Sequence, residues 1–486
     1  MQSNLIYVVR VSLVATLGGL LFGYDTAVIA GAIGYLRIHF ELSPELVGWA
    51  ASCALLGCVF GALLSGVLSD RLGRKNVLLL AAVFFLISAL GTALPKTFSQ
   101  FILFRILGGI GVGAASMASP MYIAELSPAR YRGSLVSLNQ LAIIAGMLIV
   151  YFANYFIAGY GAGFNASMGV AEDSVDSWNV VSGWRWMFGS EAIPALLLLV
   201  LLFFVPDSPR WLLKRNREKN AMTIIGLVEG AGNAEVKMRE IKESLSEESA
   251  TLDQLVKPGL RMALIVGLGL AFFQQSTGIN VILYFAPEIL KGISKQGMDV
   301  ALLQTIIIGA VNLAFTVVGI LAVDKVGRRP LMLWGYSGMG ISLLALGIGA
   351  TLQLQGVGTL LFILGYVACF AFSVGPVTWV ILAEIFPTKM RGRAMAIATI
   401  FLWMTNFMVS QTFPMMDGHA WLVSTFNHGF PFIIYGILCG AALFFVWRYV
   451  PETKNKSLES IREIWKVSSL SDKNEQTNAS KTLHGN

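Results

Sequence analysis

Twelve long, mainly apolar stretches run along the chain, separated by polar loops. They fall at 8–31, 47–69, 77–95, 99–121, 134–157, 186–205, 261–290, 300–323, 331–351, 358–385, 394–416 and 430–449. A helix crossing the hydrocarbon core of a bilayer needs about 20 predominantly apolar residues, and each stretch approaches or exceeds that length. The pattern predicts an all-α polytopic membrane protein with twelve transmembrane helices. The longest interruption, Asp207 to Leu260, is charged throughout. Its apolar positions (Ile224, Ile225, Val228, then Val236, Met238, Ile241 and Leu245) are spaced as on short amphipathic helices. The organisation that follows is a six-helix half (1–206), a solvated helical linker (207–260), a second six-helix half (261–450) and a tail (451–486). The tail is polar and is expected to be disordered beyond its first helical turns.

Composition narrows the class further. Hydrophobic residues make up 56% of the chain and charged residues only 13%, against about 25% charged in soluble domains. The formal charge of +7 does not point to nucleic acid, because membrane proteins gather Lys and Arg in cytoplasmic loops. The loops after the second, fourth, eighth and tenth spans hold Arg71, Arg74 and Lys75; Arg130 and Arg132; Lys325, Arg328 and Arg329; and Lys389, Arg391 and Arg393. The opposite loops hold Arg37, Lys96, Lys291 and Lys295. This asymmetry puts both termini in the cytoplasm. The first apolar run is too long for a signal-peptide core and lacks a small-residue cleavage site, so it is expected to remain as the first span. Cys53, Cys58, Cys369 and Cys439 lie in apolar segments without metal-ligand spacing and read as reduced core residues, with no metal or cofactor implied.

The two groups of six spans repeat each other. DRLGRK (70–75) returns as DKVGRR (324–329), ELSPARYRG (125–133) as EIFPTKMRG (384–392), and PDSPR (206–210) as PETK (451–454). The offsets are 254, 259 and 245 residues, so a six-span unit is present twice in the same orientation. Simple loop topology explains the Lys and Arg, but not the acids at matched places. Asp70, Arg74, Glu125 and Arg132, with Asp324, Arg328, Glu384 and Arg391, are therefore candidates for an ion-paired cytoplasmic gate that ties neighbouring helices when the inner side is closed.

Two further sets of polar residues lie inside spans. The first is ionisable: Asp25, Arg105 and Glu191. Charge at the centre of a spanning helix costs about 2.5–3.5 kcal/mol even on the mildest insertion scale, so Asp25 and Arg105 are expected to face each other. The pair is either a static structural bond or a proton site. In the second case a movement that changes the contact loads or releases a proton at Asp25, since Arg keeps its own. Glu191 either tunes that pair or anchors its span. The second set is neutral: Gln140, the group Gln274, Gln275 and Asn280, then Tyr284, Asn312, Trp379, Trp403 and Asn406. Amides that donate and accept without charge, beside aromatic faces, suit a polyhydroxylated ring. Amides of this kind also glue membrane helices together. The Gln274 group stands apart, because Ser276-Thr277-Gly278 is expected to loosen the helix there. His39, His419, His428 and His484 are scattered, with no nucleophile–base or metal constellation, which argues against an enzyme.

The paired motifs, with PDSPRWLL (206–213), QQSTGINVILYFAP (274–287) and GPVTWVILAEIFP (375–387), resemble the sugar porters of the major facilitator superfamily from about residue 10 to about 465. Within the family, the likeness is greater to the bacterial xylose–proton symporters than to the facilitative glucose transporters. The resemblance implies two parallel six-helix halves with a monosaccharide held between them. It implies sugar-binding amides at Gln140, Gln274, Gln275, Asn280 and Asn312, a stacking ring at Trp379, and proton coupling through Asp25. A facilitator of the same fold, or a sugar sensor, is the alternative. Met147 and Leu402 stand where the xylose symporters carry amides, and Val374 where they carry Trp, so the expected cargo is xylose or a hexose such as glucose or galactose. The expected partners are that sugar, a proton and the lipid of a bacterial inner membrane, with the chain working as a monomer.

Overall fold

The computed structural model describes residues 5–128, 130–172, 174–246, 260–294, 297–354, 357–386 and 391–454. The tail beyond residue 454 lies outside these. The described secondary structure is helical throughout, as an apolar chain must be where no water is present to satisfy its backbone. Twelve helices are long and apolar enough to cross a membrane: Leu5–His39, Pro44–Leu72, Arg74–Ala93, Phe98–Leu126, Arg132–Met168, Asn179–Leu202, Arg261–Gly292, Met298–Val326, Arg328–Thr351, Gly358–Ile385, Gly392–Asp417 and Phe430–Tyr449. We number them spans 1 to 12.

Several run beyond the apolar stretches that predict them. Span 5 continues to Met168 rather than ending near 157, because Asn165 secures the extension: its Nδ2 donates to Ser177 Oγ (2.8 Å) and its Oδ1 accepts from Trp178 N (2.8 Å). The repeat is visible in the joints. Spans 2 and 8 both stop at a glycine with positive φ, Gly73 (+93°) and Gly327 (+107°), from which the next helix starts at once. A side chain at either place would be strained.

Four spans are not continuous. Span 1 breaks at Val28, between Leu5–Ala27 and Ile29–His39. Span 7 breaks at Thr277-Gly278, between Arg261–Ser276 and Ile279–Ser294. Span 6 opens with a π turn, Asn179–Gly183, and breaks again at Ser190-Glu191. Span 10 carries a π turn, Phe370–Val374, ahead of Gly375–Ile385. Such interruptions in a bilayer are tolerated where side chains or a cavity take up the freed backbone groups.

The described part of the linker forms three α-helices, Pro209–Lys214, Glu218–Glu229 and Ala234–Ser246. Trp211, Leu212, Leu213 and Ala221 make a small core, against which Ile224, Met238, Ile241 and Leu245 pack. Val236, expected on the apolar face, is 62% exposed. The face is set by Trp211 and its neighbours instead, which pull the last helix round by its Met238 side.

The halves meet at the end of the bundle away from the linker, here called the distal end. Ser52 Oγ on span 2 donates to Gln411 Oε1 on span 11 (2.9 Å), and Gln411 Nε2 donates to the Glu45 carbonyl (3.0 Å). Tyr151 Oη on span 5 donates to the Leu283 carbonyl on span 7 (2.8 Å). Arg37 pairs with Glu288 at 3.6 Å. At the linker end, the pairs Arg74–Asp70, Arg74–Glu125, Arg328–Asp324 and Arg328–Glu384 each stay within one half. This is a state closed distally.

Candidate functional site

Spans 1, 4 and 6 bring Asp25, Arg105 and Glu191 together in the interior of the first half. Arg105 Nη1 donates to Asp25 Oδ1 (2.8 Å) and to the Asp25 backbone carbonyl (3.2 Å), just ahead of the break at Val28. All three residues are buried. The guanidinium also lies over the Phe188 ring, 5.4 Å from its centroid. Glu191 sits at the break in span 6, buried near Asp25, and neither its carboxyl oxygens nor Asp25 Oδ2 has a hydrogen-bond partner among the described residues. Neither carboxyl can donate to the other unless one carries a proton. The cluster is thus one fixed cation, Arg105, bonded to Asp25, with a second buried carboxyl, that of Glu191, close by. Beside it, Tyr24 Oη and Ser190 Oγ are hydrogen-bonded at 2.8 Å, joining span 1 to span 6 next to the acids.

In the second half the neutral set gathers round the break in span 7. Gln274 Nε2 donates to the Gly375 carbonyl (3.2 Å), Gln275 Nε2 to Gln274 Oε1 (3.4 Å), and Asn280 Nδ2 to Gln275 Oε1 (2.6 Å). The three amides form one relay that leads from span 10 to the start of the second helical segment of span 7. Tyr284, one turn on, is buried and lies against Asn406 of span 11. Trp403 stands 5.5 Å from Phe22 of span 1, across the line between the halves. Two donors here, Trp403 Nε1 and Asn406 Nδ2, are buried without a hydrogen-bond partner among the described residues. Asn312 is buried in span 8, and Gln140 and Trp379 are half-buried in spans 5 and 10. The three positions that depart from the xylose-symporter pattern, Met147, Val374 and Leu402, are all buried.

The charged motifs at the linker end assemble into two matching clusters. In the first half Arg74 reaches Glu125 (3.0 Å) and Asp70 (3.6 Å), Lys214 pairs with Asp70 (3.3 Å), and Ser208 Oγ donates to Glu125. In the second, Arg328 reaches Glu384 and Asp324 (both 3.0 Å), and Thr453 Oγ1 donates to Glu384 (2.5 Å). Glu452 accepts from the backbone N–H groups of Arg328 (3.2 Å) and Arg329 (3.0 Å) at the start of span 9. Burial pushes Glu452 up, but those amides and the ones of Lys454 and Thr453 outweigh it and hold its carboxyl below the usual carboxylate range. The candidate gate is corrected in one respect. Arg132 does not join the first cluster; it is exposed at the lip of a cavity of about 200 Å³ that Glu125 and Arg210 also line. The side chain of Arg391 lies outside the described residues. Ser208, Thr453 and Glu452 complete the clusters and were not expected there, although the PDSPR/PETK echo already marks them.

Two parallel six-helix halves, a polar relay at the break of span 7 and matched charged clusters at one end now stand together. A family model described as "Sugar (and other) transporter" matches residues 11–465. The chain belongs to the sugar porter family of the major facilitator superfamily. It is 46% identical over 490 residues to the D-xylose-proton symporter of Escherichia coli (strain K12), covering 96% of this chain and 97% of that one. It is 41% identical over 461 residues to the arabinose-proton symporter of Bacillus subtilis (strain 168), covering 94% and 95%. The solved inward open conformation of the xylose transporter XylE from E. coli superposes with a TM-score of 0.80 at 44% identity, over 94% of this chain and 100% of that one.

Proposed function

We propose that this multi-pass membrane protein imports a neutral monosaccharide together with a proton, by alternately closing its distal and linker ends. The observation that carries the reading is the Asp25–Arg105–Glu191 cluster. The Arg105 guanidinium is shared between the Asp25 carboxyl and the Asp25 backbone carbonyl at the break of span 1, so a change of protonation at Asp25 changes what holds that helix. Xylose is the first candidate sugar and glucose or galactose the next. Gln140, Gln274, Gln275, Asn280 and Asn312 would supply hydrogen bonds and Trp379 a stacking face, with Tyr284, Trp403 and Asn406 completing the wall. The halves 1–206 and 261–450 act as the moving units of a monomer. The linker end, with both termini, faces the cytoplasm of a bacterial inner membrane; a cysteine placed at the exposed Lys219 should react with an impermeant reagent only from inside.

The deciding experiment uses purified protein in proteoliposomes. An imposed pH gradient should drive accumulation of labelled xylose, and Asp25→Asn should abolish accumulation while leaving sugar binding intact. If Asp25→Asn still concentrates sugar in response to the gradient, the cluster is a structural bond and the protein couples elsewhere or not at all.

A further inference from the structure

The two halves treat their broken first helices alike, with different chemistry. In the first half, Arg105 of span 4 donates to the Asp25 carbonyl (3.2 Å) beside the break at Val28. In the second, Tyr366 of span 10, the fourth helix of that half, donates through its hydroxyl to the Thr277 carbonyl (2.9 Å), inside the break of span 7. The sixth helix of each half adds a third group: Glu191 in span 6 and Tyr435 in span 12. Thr277 follows Asp25 by 252 residues, Tyr366 follows Arg105 by 261, and Tyr435 follows Glu191 by 244. These offsets lie within two residues of the 254, 259 and 245 that relate the paired loop motifs. The three positions therefore fall at near-equivalent levels of the repeat, and a charged cluster in one half has a phenolic counterpart in the other.

Both tyrosines are buried, and the Tyr435 ring lies against the turn itself. Gly278 has φ +86°, and a Cβ there would come within 2.6 Å of Tyr435 Cδ2. The turn is thus held from two sides, by a hydroxyl on its carbonyl and by a ring over its glycine.

We propose that Tyr366 and Tyr435 are positioning residues for sugar recognition: a neutral clamp on the span 7 break that fixes Gln274, Gln275 and Asn280 relative to one another. This rests on the sugar-binding role proposed for those amides. A buried carbonyl left without its partner destabilises the conformation that needed it, so the clamp decides whether the relay keeps its shape. A phenol keeps its proton across the physiological range. The second half therefore presents its amides independently of pH, while the first half responds to it.

The test compares sugar affinity and pH response in the reconstituted protein. Tyr366→Phe removes only the hydroxyl and should weaken xylose binding about tenfold, with the pH profile of uptake unchanged in midpoint. Gly278→Ala strains the same turn from the other side and should give the same pattern, which keeps the proposal testable if Tyr366→Phe does not fold. Tyr366→His places a titratable donor on the carbonyl and should make sugar affinity itself depend on pH. Wild-type affinity in a folded Tyr366→Phe overturns the clamp, as does a shifted pH midpoint, which would place its action in the first half. If the unsubstituted protein binds no sugar, the functional reading falls rather than the clamp alone.

Discussion

Gly48 on span 2 controls whether the distal seam can close. A Cβ added there would lie 2.5 Å from the backbone carbonyl oxygen of Gln411 and 3.0 Å from its Nε2. Ordinary contact begins at 3.4 Å, so Gly48→Ala requires span 11 to retreat by about 0.9 Å. The same retreat stretches the Ser52–Gln411 and Gln411–Glu45 hydrogen bonds, which start at 2.9 and 3.0 Å. Overpacking a fitted contact costs about 1–3 kcal/mol. That penalty falls only on the state in which the seam is shut, so it shifts the balance toward the distally open state by about 5- to 150-fold. Gly48→Leu, larger still, should hold the protein open at that end and stop transport without unfolding it. Spin labels at Leu46 and Trp421, both exposed near the distal end, would report the opening as a longer interhalf distance. A Gly48→Leu protein with the wild-type distance distribution and wild-type turnover would refute the reasoning, because the seam would then not need its close approach.

Gln275→Ala removes the acceptor of the 2.6 Å bond from Asn280; losing a buried partner costs about 1–3 kcal/mol, and calorimetry should show sugar binding weakened about 5- to 150-fold. Glu452→Gln should destabilise the start of span 9, where a carboxylate on helix-terminal amides contributes about 0.5–2 kcal/mol. Because the Glu452 carboxyl is held low, its contribution is present above the ordinary value of 4.5 and is lost as pH falls through its folded-state value, so wild-type melting temperature should drop in acid more than that of Glu452→Gln. His428 is raised by its hydrogen bond to Asp417 (2.9 Å) against the opposing effect of burial. The tie it makes between spans 11 and 12 is complete below the ordinary value of 6.5 and weakens as pH rises past it. Intrinsic-rate-corrected amide exchange in 418–429 should accelerate between pH 6 and 8, and His428→Gln should flatten that response.

The spans, the duplication and the facing of Asp25 by Arg105 are legible in the sequence because each rests on a local rule: length in an apolar solvent, recurrence of motifs, and the cost of a lone charge. The loosened helix at Ser276-Thr277-Gly278 is legible for the same reason. What depends on a partner from elsewhere in the chain is not. Gln411 looks like any amide in a spanning helix until Ser52 and Glu45 are seen across the seam. Tyr366 reads as a core aromatic until its hydroxyl meets the Thr277 carbonyl. Val236 has the right spacing for an apolar face but loses it to Trp211, whose bulk lies 25 residues earlier. Arg132 carries the motif of a gate residue, yet no carboxylate comes within pairing distance of it among the described residues.

Arg105 also constrains how the chain is made. A ribosome delivers span 1 to the membrane first, so Asp25 enters the lipid alone and Arg105 arrives three helices later. Each of these charges opposes insertion by about 2.5–3.5 kcal/mol when unpaired, and their bond lies fully within the first half. Span 4 can therefore settle most easily against a span 1 that is already in place, which makes the early helices a template for the later one. Removing the acid would burden biogenesis as well as coupling: a nascent first half bearing Asp25→Asn should leave a larger fraction of span 4 outside the bilayer in a translocon insertion assay.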